Sequence, residues 1–307
     1  MFDLNIIGAG PAGLTAAIYG ARAGLSVNVC EEKIYGGQCT MIEKLENYPG
    51  FKSISGAEFS TNLYEQTENF GVEFSFGKVV KVDLEDKKKS VTLEDGSVLD
   101  SKTVVISSGL KRRNLGCPGE KELIGKGVSY CATCDGMFFK SKKVIVVGGG
   151  NTALQDALYL SNVCSEVTIV VRKPKFRGEK FLVDAVEKKD NIKIEFESVV
   201  KEIKGENYVT GVDIERKGME TQHLDADGIF IAIGYEPDLG MYKDQIKTDD
   251  KGYFLADENC ETNIPGVYVA GDCRKKFLRQ IVTATADGAV AGSRAAEYVL
   301  SAKSQLF

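Results

Sequence analysis

Residues 4–13 read LNIIGAGPAG, a short apolar run that leads directly into a Gly-x-Gly-x-x-Gly motif. Small residues typical of a helix follow, and residues 25–30 are apolar again, so this segment predicts a strand, a tight turn, a helix and a second strand. In such a βαβ unit, the glycines permit the turn, a close backbone approach to a pyrophosphate, and tight helix–strand packing. Glu31 ends the second strand, where a carboxylate can accept a ribose hydroxyl. The alternative is a glycine-rich turn that binds nothing. The candidate dinucleotide-binding residues here are Gly8, Gly10, Pro11, Ala12, Gly13 and Glu31.

The same pattern returns 140 residues later, at residues 143–172. Val144–Val147 leads into Gly-x-Gly-x-x-Ala, and a helix over Ala153–Ser161 and a strand over Val167–Val171 are predicted to follow. The residue at the end of this strand is Arg172, not an acid. A basic cluster attracts a 2′-phosphate, which a carboxylate repels, so the unit favours NADPH over NADH. A solvated basic loop is the alternative. The candidate residues are Gly148, Gly150, Asn151, Thr152, Ala153, Arg172, Lys173 and Arg177, with Lys175 in the same cluster.

Two dinucleotide units in one chain imply electron transfer between a nicotinamide and a second cofactor, for which a flavin is the simplest choice. Alternating segments at Lys78–Val82 and Ser90–Leu93, and again within Lys193–Asp213, predict an antiparallel meander in each half. The predicted fold is α/β, with two Rossmann-like domains that each combine a parallel sheet with a meander. A last strand, Gly266–Ala270, and a last helix, from about Thr283 to Leu300, complete the pattern.

Composition and charge exclude several classes of function. The chain has 307 residues, a net charge of −5 and no block of Lys and Arg, which argues against a nucleic-acid partner. It has no apolar run of about 18 residues, which argues against a membrane span. Its first residues lack the features of a signal peptide, so a cytoplasmic location is predicted. The only histidine is His223, which excludes a Ser-His-Asp triad and a histidine-rich metal site.

Cys131 and Cys134 form the only closely spaced pair among eight cysteines. Two thiols three residues apart can close a disulfide, and a helix N-terminus would stabilise a thiolate there. The neighbouring Asp135 could give a proton to a departing thiolate. A zinc half-site would need two more ligands, which the sequence does not offer, so no metal is predicted. A structural disulfide is disfavoured by the predicted compartment, and two inert buried thiols remain an alternative.

Taken together, these motifs resemble those of the low-molecular-weight thioredoxin reductases, flavoproteins of the pyridine nucleotide–disulfide oxidoreductase group. The resemblance covers essentially the whole chain. It rests on the order and spacing of these motifs: Gly8–Gly13, Gly36-Gly37-Gln38, residues 46–50 (ENYPG), Cys131–Asp135, Gly148–Ala153, Gly271-Asp272, and Arg279-Gln280 with Thr283-Ala284.

The resemblance implies an FAD-binding domain formed by residues 1–112 and 243–307, split around an inserted NADPH-binding domain, residues 113–242, that carries the cysteine pair. It also implies that one domain rotates against the other and that the protein is a homodimer. Thioredoxin is the implied partner, to which Met137 and Phe138 would present apolar surface.

The resemblance also assigns roles to individual residues. Cys134 is the thiol that faces the flavin, Cys131 attacks the thioredoxin disulfide, and Asp135 is the acid–base group. The remaining implied FAD contacts are Gly37, Gln38, Asn47, Gly271, Asp272, Arg279 and Gln280, beside the glycine turn and Glu31.

The chain departs from the family pattern in its basic motif, where Val171 replaces a histidine and Arg172, Lys173 and Arg177 are kept. The leading hypothesis is a disulfide reductase that passes electrons from NADPH through FAD to thioredoxin. The same reductase fed by ferredoxin or another donor, an NADPH–ferredoxin reductase, and a flavin-bound redox sensor are the alternatives. Asn151 and Cys273 replace residues often seen as Asp and Val, and the sequence offers no physical reason for either change.

Overall fold

The computed structural model describes residues 1–42, 44–216, 218–242 and 244–304, and the chain divides into two compact units. The first unit comprises Met1–Lys111 and Glu236–Phe307, and the second comprises Arg112–Tyr235. The second crossing therefore lies seven residues before the expected bound at 242/243. The reason is that Tyr242 is fully buried in the core of the first unit, where its ring packs edge-on against Phe254.

The helices are α1 (Pro11–Arg22), α2 (Gly56–Glu68), α3 (Ala132–Asp135), α4 (Asn151–Ser161), α5 (Lys180–Glu187) and α6 (Ile281–Ser304). The strands are β1 (Phe2–Ile7), β2 (Val27–Glu31), β3 (Glu73–Phe76), β4 (Val79–Asp83), β5 (Lys89–Leu93), β6 (Val98–Ile106), β7 (Lys111–Arg112), β8 (Val128–Ser129), β9 (Lys143–Val147), β10 (Glu166–Val171), β11 (Ile192–Phe196), β12 (Ser198–Lys204), β13 (Gly211–Arg216), β14 (Gln222–Asp225), β15 (Gly228–Ile231), β16 (Tyr235–Glu236) and β17 (Val267–Val269).

The first unit is built on a mixed sheet in the order β3-β2-β1-β6-β5-β4, with β17 also paired to β6. Strands β3, β2, β1, β6 and β17 run parallel, whereas β4, β5 and β6 form the antiparallel meander. Helices α1 and α6 pack together, burying small residues such as Ala12, Ala16 and Ala291. Because the parallel strands share a direction, their carboxyl ends lie at one edge, where the loops after β1, β2 and β17 meet.

The second unit contains the parallel sheet β11-β10-β9-β15-β8 and a separate antiparallel sheet β12-β13-β14. The predicted meander from Lys193 begins later, because residues 192–196 extend the parallel sheet beside β10. Glu197, between β11 and β12, has a φ of 56°, and this left-handed residue separates the strand of one sheet from the strand of the other. An alternating sequence looks the same in either kind of sheet, so its pattern could not locate this break.

The predicted fold class is confirmed: each unit combines parallel Rossmann-like pairing with antiparallel strands. Both chain crossings lie in short strands, β7 and β16, that pair with each other. Within the described ranges, no helix combines the length and apolar character needed to cross a bilayer.

Candidate active site

The first glycine motif forms the tight turn between β1 and α1. Gly8 has a φ of 103°, a left-handed conformation that favours glycine. A Cβ on Gly13 would collide with the carbonyl oxygen of Gly8, so the third glycine lets α1 lie directly against the turn. Gly10 caps α1 and Pro11 occupies its first turn, which leaves the N-terminal end of the helix facing the turn.

Glu31 lies beside this turn rather than away from it. One carboxylate oxygen accepts the N–H of Ala9 at 2.8 Å, and the other accepts the N–H of Lys33 at 3.0 Å. A short 3-10 helix, Gly37–Met41, is held next to the turn, because the N–H of Gly36 donates to the carbonyl of Ala9 at 2.7 Å. The structure therefore brings Glu31, Gly37 and the Gly8–Gly13 turn together.

The loop after β17 approaches the same turn. A Cβ on Gly271 would lie 2.9 Å from the Cβ of Ala12, which places the Gly271-Asp272 loop against the start of α1. Arg279 donates to the carbonyl of Asp272 at 3.2 Å. Two further predicted residues meet nearby, since the Asn47 amide donates to the Gln280 side chain at 3.0 Å. Gln38 instead donates to the carbonyl of Leu110 at 2.6 Å.

A buried ionic network that the sequence did not predict supports this loop. Asp287 accepts the backbone N–H of Gly271 at 2.9 Å and an ion pair from Lys276 at 2.6 Å, and Arg274 approaches its other oxygen at 3.3 Å. Lys276 and Asp287 are almost fully buried. This ion pair depends on the tertiary fold, and no sequence motif predicted it.

Two observations indicate that the first unit can bind a dinucleotide. The glycine turn has no room for a side chain at Gly8 or Gly13, whereas a Cβ on Gly10 would meet no protein atom within 4 Å. In addition, Oδ1 of Asp272 is buried without a hydrogen-bond partner among the described residues, and burial raises the pKa of this carboxyl. An unpaired buried oxygen costs free energy unless a ligand hydroxyl completes it.

The second glycine motif repeats the first between β9 and α4. Gly148 has a φ of 148°, and a Cβ there would lie 2.8 Å from the Cβ of Ala153. Gly150 caps α4, so Asn151, Thr152 and Ala153 form its first turn. Arg172 follows the last residue of β10, at the same edge of the sheet. The side chains of Arg172, Lys173, Lys175 and Arg177 are exposed, and none of the four forms an ion pair with a described residue.

Cys131 and Cys134 are joined by a disulfide, with their Cα atoms 5.3 Å apart. Cys131 is the N-cap of α3, and its sulfur accepts the backbone N–H of Cys134 at 3.2 Å. Such a hydrogen bond becomes stronger when the sulfur is a thiolate. The arrangement is suited to a thiolate at Cys131 after the disulfide is reduced.

Asp135 follows the pair and is half-buried. Its carboxylate accepts the hydroxyl of Ser129 at 2.6 Å, and the same hydroxyl oxygen accepts the N–H of Cys131 at 3.1 Å. Ser129 therefore connects the carboxylate to the first cysteine. It is a site residue that sequence reasoning missed. Met137 and Phe138 lie just beyond, with 59% and 77% of their surface exposed.

The other cysteines are free thiols: Cys30, Cys39, Cys164, Cys260 and Cys273 are buried, and Cys117 is half-buried. Burial raises the pKa of Cys30 and Cys260 to about 12 and that of Cys164 and Cys273 to about 11. These thiols stay protonated at neutral pH and are poor nucleophiles. His223 lies on β14, in the separate antiparallel sheet of its unit, and bonds to Asp213 at 2.7 Å.

Comparison with known proteins gives a consistent result. Residues 2–288 match the pyridine nucleotide-disulphide oxidoreductase family. The chain is 42% identical to thioredoxin reductase of Listeria monocytogenes, over 100% of this chain and 96% of that protein. It is 42% identical to thioredoxin reductase of Bacillus subtilis, over 97% and 95%. Its structure is similar to the crystal structure of Lactococcus lactis thioredoxin reductase, with a TM-score of 0.90 and 38% identity over 98% and 100% of the two chains.

Proposed function

The chain belongs to the pyridine nucleotide-disulphide oxidoreductase family and is an oxidoreductase that acts on a disulfide; on this premise we propose that it is a thioredoxin reductase, passing electrons from NADPH through FAD and the Cys131–Cys134 pair to thioredoxin. The family resemblance of the sequence motifs is thereby confirmed. The observation that carries the proposal is the Cys131–Cys134 disulfide at the start of α3, in a chain with two glycine-rich dinucleotide cradles.

FAD is proposed to lie in the first unit. The glycine turn and Glu31 would hold the nucleotide part, and Gly271 with Asp272 the part nearer the flavin. When bound, a flavin accepts a hydride from a reduced nicotinamide and gives two electrons to a disulfide. The unpaired Oδ1 of Asp272 supports this assignment, because it needs a hydrogen-bond donor from a ligand. Gln38, Asn47, Arg279 and Gln280 remain proposed contacts.

NADPH is proposed to bind at the second glycine motif. The first turn of α4 offers backbone N–H groups to a pyrophosphate, and the basic segment offers cations to a 2′-phosphate. The four basic side chains are exposed and form no ion pair with a described residue, which supports NADPH over NADH.

Two electrons and one proton convert the Cys131–Cys134 disulfide into a Cys131 thiolate and a Cys134 thiol. The Cys131 thiolate then attacks one sulfur of the thioredoxin disulfide. A mixed disulfide forms, and the leaving thioredoxin thiolate takes a proton, for which Asp135 is the proposed donor. Cys134 next attacks the sulfur of Cys131, its proton passes to the second thioredoxin thiolate as that sulfur leaves, and the disulfide is restored. The N–H that Cys134 donates to the Cys131 sulfur supports the choice of Cys131 as the attacking thiolate.

The homodimer and the cytoplasmic location stay predictions, and ferredoxin as the electron donor stays an untested alternative. The full-length similarity to thioredoxin reductases and the Cys131–Cys134 disulfide favour the main hypothesis over an NADPH–ferredoxin reductase.

Replacing either cysteine of the pair tests the proposal. Cys134→Ser and Cys131→Ser should each lower thioredoxin reduction at least about a thousandfold, because a single thiol cannot complete the exchange. Both variants should remain yellow, since neither residue belongs to the proposed flavin cradle. Cys117→Ser, which alters a half-buried free thiol of the same unit, is the control and should keep full turnover. Undiminished turnover in Cys134→Ser would refute the mechanism.

A further inference from the structure

The basic segment after β10, residues 172–179, is held by contacts with the second glycine turn, with β11 and with α4. The N–H of Arg177 donates to the carbonyl of Gly149 at 2.7 Å. The ring of Phe176 packs edge-on against Phe196, with centroids 5.0 Å apart. A Cβ on Gly178 would collide with the side chain of Leu154, so the backbone of the segment lies directly on α4. These contacts distinguish the segment from a freely solvated loop.

Its last contact is a reciprocal pair between Asn151 and Glu179. The Asn151 amide Nδ2 donates to the Glu179 carboxylate at 2.8 Å, and the Glu179 backbone N–H donates to the Asn151 Oδ1 at 2.8 Å. Asn151 is the first residue of α4, and Glu179 is the N-cap residue of α5. The pair therefore joins the starts of two helices and attaches the C-terminal end of the basic segment to α4.

The pairing requires an amide at one position. Asn151 must both donate to a carboxylate and accept a backbone N–H, which asparagine can do and aspartate cannot. An aspartate at position 151 would place two carboxylates within hydrogen-bond distance of each other, and they would repel. This requirement gives a physical reason for the asparagine that the sequence alone left unexplained.

The pair also has an electrostatic consequence. Among the described residues, no ion pair occupies Arg172, Lys173 or Arg177, although Glu179 lies only two residues from Arg177. Because Asn151 holds the Glu179 carboxylate, that anion is kept from competing for the neighbouring cations.

We propose that Asn151 and Glu179 form a positioning pair that fixes the basic segment and leaves its cations free for the 2′-phosphate of the nicotinamide dinucleotide. Glu179 thus acts through the residues it orients and keeps the preference for a 2′-phosphate high. The inference rests on the proposed binding of NADPH at this motif and adds a determinant of its specificity.

An exchange of donor and acceptor tests the pair. Asn151→Asp should break it, and Asn151→Asp combined with Glu179→Gln should restore it, because the new amide can donate to the new carboxylate. The double variant also has the net charge of the wild type. Asn207→Asp, in the exposed turn between β12 and β13, adds the same charge as the single variant and is the matched control.

The measurement is calorimetric binding of adenosine 2′,5′-bisphosphate and of adenosine 5′-monophosphate to the flavin-loaded full-length protein. The ratio of the two dissociation constants isolates the 2′-phosphate contribution from effects on the 5′-phosphate. We expect Asn151→Asp to lower this preference on the order of tenfold, as for residues coupled in one hydrogen-bond network. The double variant should return to within about threefold of the wild type, and Asn207→Asp should not change it.

Two results separate the failure of this inference from the failure of the proposed function. If the wild type prefers the bisphosphate and the double variant is as impaired as the single one, the pair does not position the segment and the inference is overturned. If the wild type shows no preference for the bisphosphate, the proposed use of NADPH fails, and the inference falls with it. An unfolding midpoint measured for each variant shows whether binding is lost through misfolding. If Asn151→Asp misfolds, the ratio is measured in Glu179→Ala, which removes the carboxylate and with it one negative charge, and an unchanged ratio there overturns the inference.

Discussion

At the scale of single residues, a buried carboxyl oxygen of Asp272 without a hydrogen-bond partner among the described residues indicates a ligand site. Desolvation raises the pKa of this carboxyl. Lys276 and Arg279 oppose that rise without cancelling it. Such a carboxylate destabilises the folded chain unless a bound hydroxyl completes its hydrogen bonds.

Asp272→Asn should therefore have opposite effects on stability and on binding. A carboxyl whose pKa is raised on folding contributes stability only at low pH, and this contribution is lost as the pH rises through the folded-state pKa. We expect the apoprotein of the variant to unfold at a higher temperature at pH 8, with a gain that shrinks towards about pH 4. FAD affinity should fall about tenfold, because the ligand loses a charge-assisted hydrogen bond.

Thermal unfolding across pH and fluorescence titration with FAD measure the two effects. Asp250→Asn, at an exposed carboxylate of the same unit, should change neither quantity. Equal FAD affinity in Asp272→Asn and the wild type would remove Asp272 from the flavin site.

Gly8 and Gly13 could be predicted from the sequence, because their spacing follows from the backbone geometry of a dinucleotide turn. Asp272 was implied only by the family resemblance. Asp287 and Glu179 could not be predicted. Each acts through a partner at least 11 positions away along the chain, and only the folded chain brings them together.

At the scale of elements, a buried carboxylate links residues 115–116, which follow β7, to Tyr130, which lies between β8 and the cysteine pair. Glu120 accepts the N–H groups of Leu115 and Gly116 at 2.9 and 2.7 Å, and the Tyr130 hydroxyl at 2.8 Å. Burial, together with the Glu120 carboxylate, raises the pKa of Tyr130, so its phenol remains a donor. The residue before Cys131 is thus held by the same carboxylate as residues 115–116.

Glu120→Gln should destabilise the second unit by about 2 kcal/mol, because its amide nitrogen would face an N–H donor that needs an acceptor. Tyr130→Phe removes a single hydrogen bond and should cost about 1 kcal/mol. Urea unfolding of the full chain, followed by circular dichroism, measures both changes. Glu122→Gln, at an exposed carboxylate two residues away, serves as the control. If Glu120→Gln unfolds like that control, the carboxylate does not hold the segment.

Strong periodicity made the elements predictable in kind but not in every bound. The strands next to both glycine motifs were predicted because apolar runs lead into glycines there. Helix α6 extends beyond its predicted limits, Thr283 and Leu300, at both ends, since terminal turns have no distinctive pattern. The sheet that receives residues 192–196 depends on tertiary pairing with β10.

At the scale of the whole molecule, each unit carries one glycine cradle, and the second also carries the cysteine pair. The repeat of the βαβ motif was sufficient to predict two dinucleotide-binding units. The insertion of one unit into the other was implied only by family resemblance, because the burial of Tyr242 that fixes the second crossing has no local sequence signal. The roles of the two domains stay predictions that cofactor binding can test.

Electrons are proposed to pass from NADPH through the flavin and the cysteine pair to thioredoxin. The most direct test of this path is anaerobic mixing of the purified yellow protein with NADPH or NADH, followed by oxidised thioredoxin, while the flavin absorption is recorded. We expect NADPH to bleach the flavin much faster than NADH and thioredoxin to restore the colour. If NADPH leaves the flavin oxidised, or thioredoxin leaves it bleached, the account is contradicted.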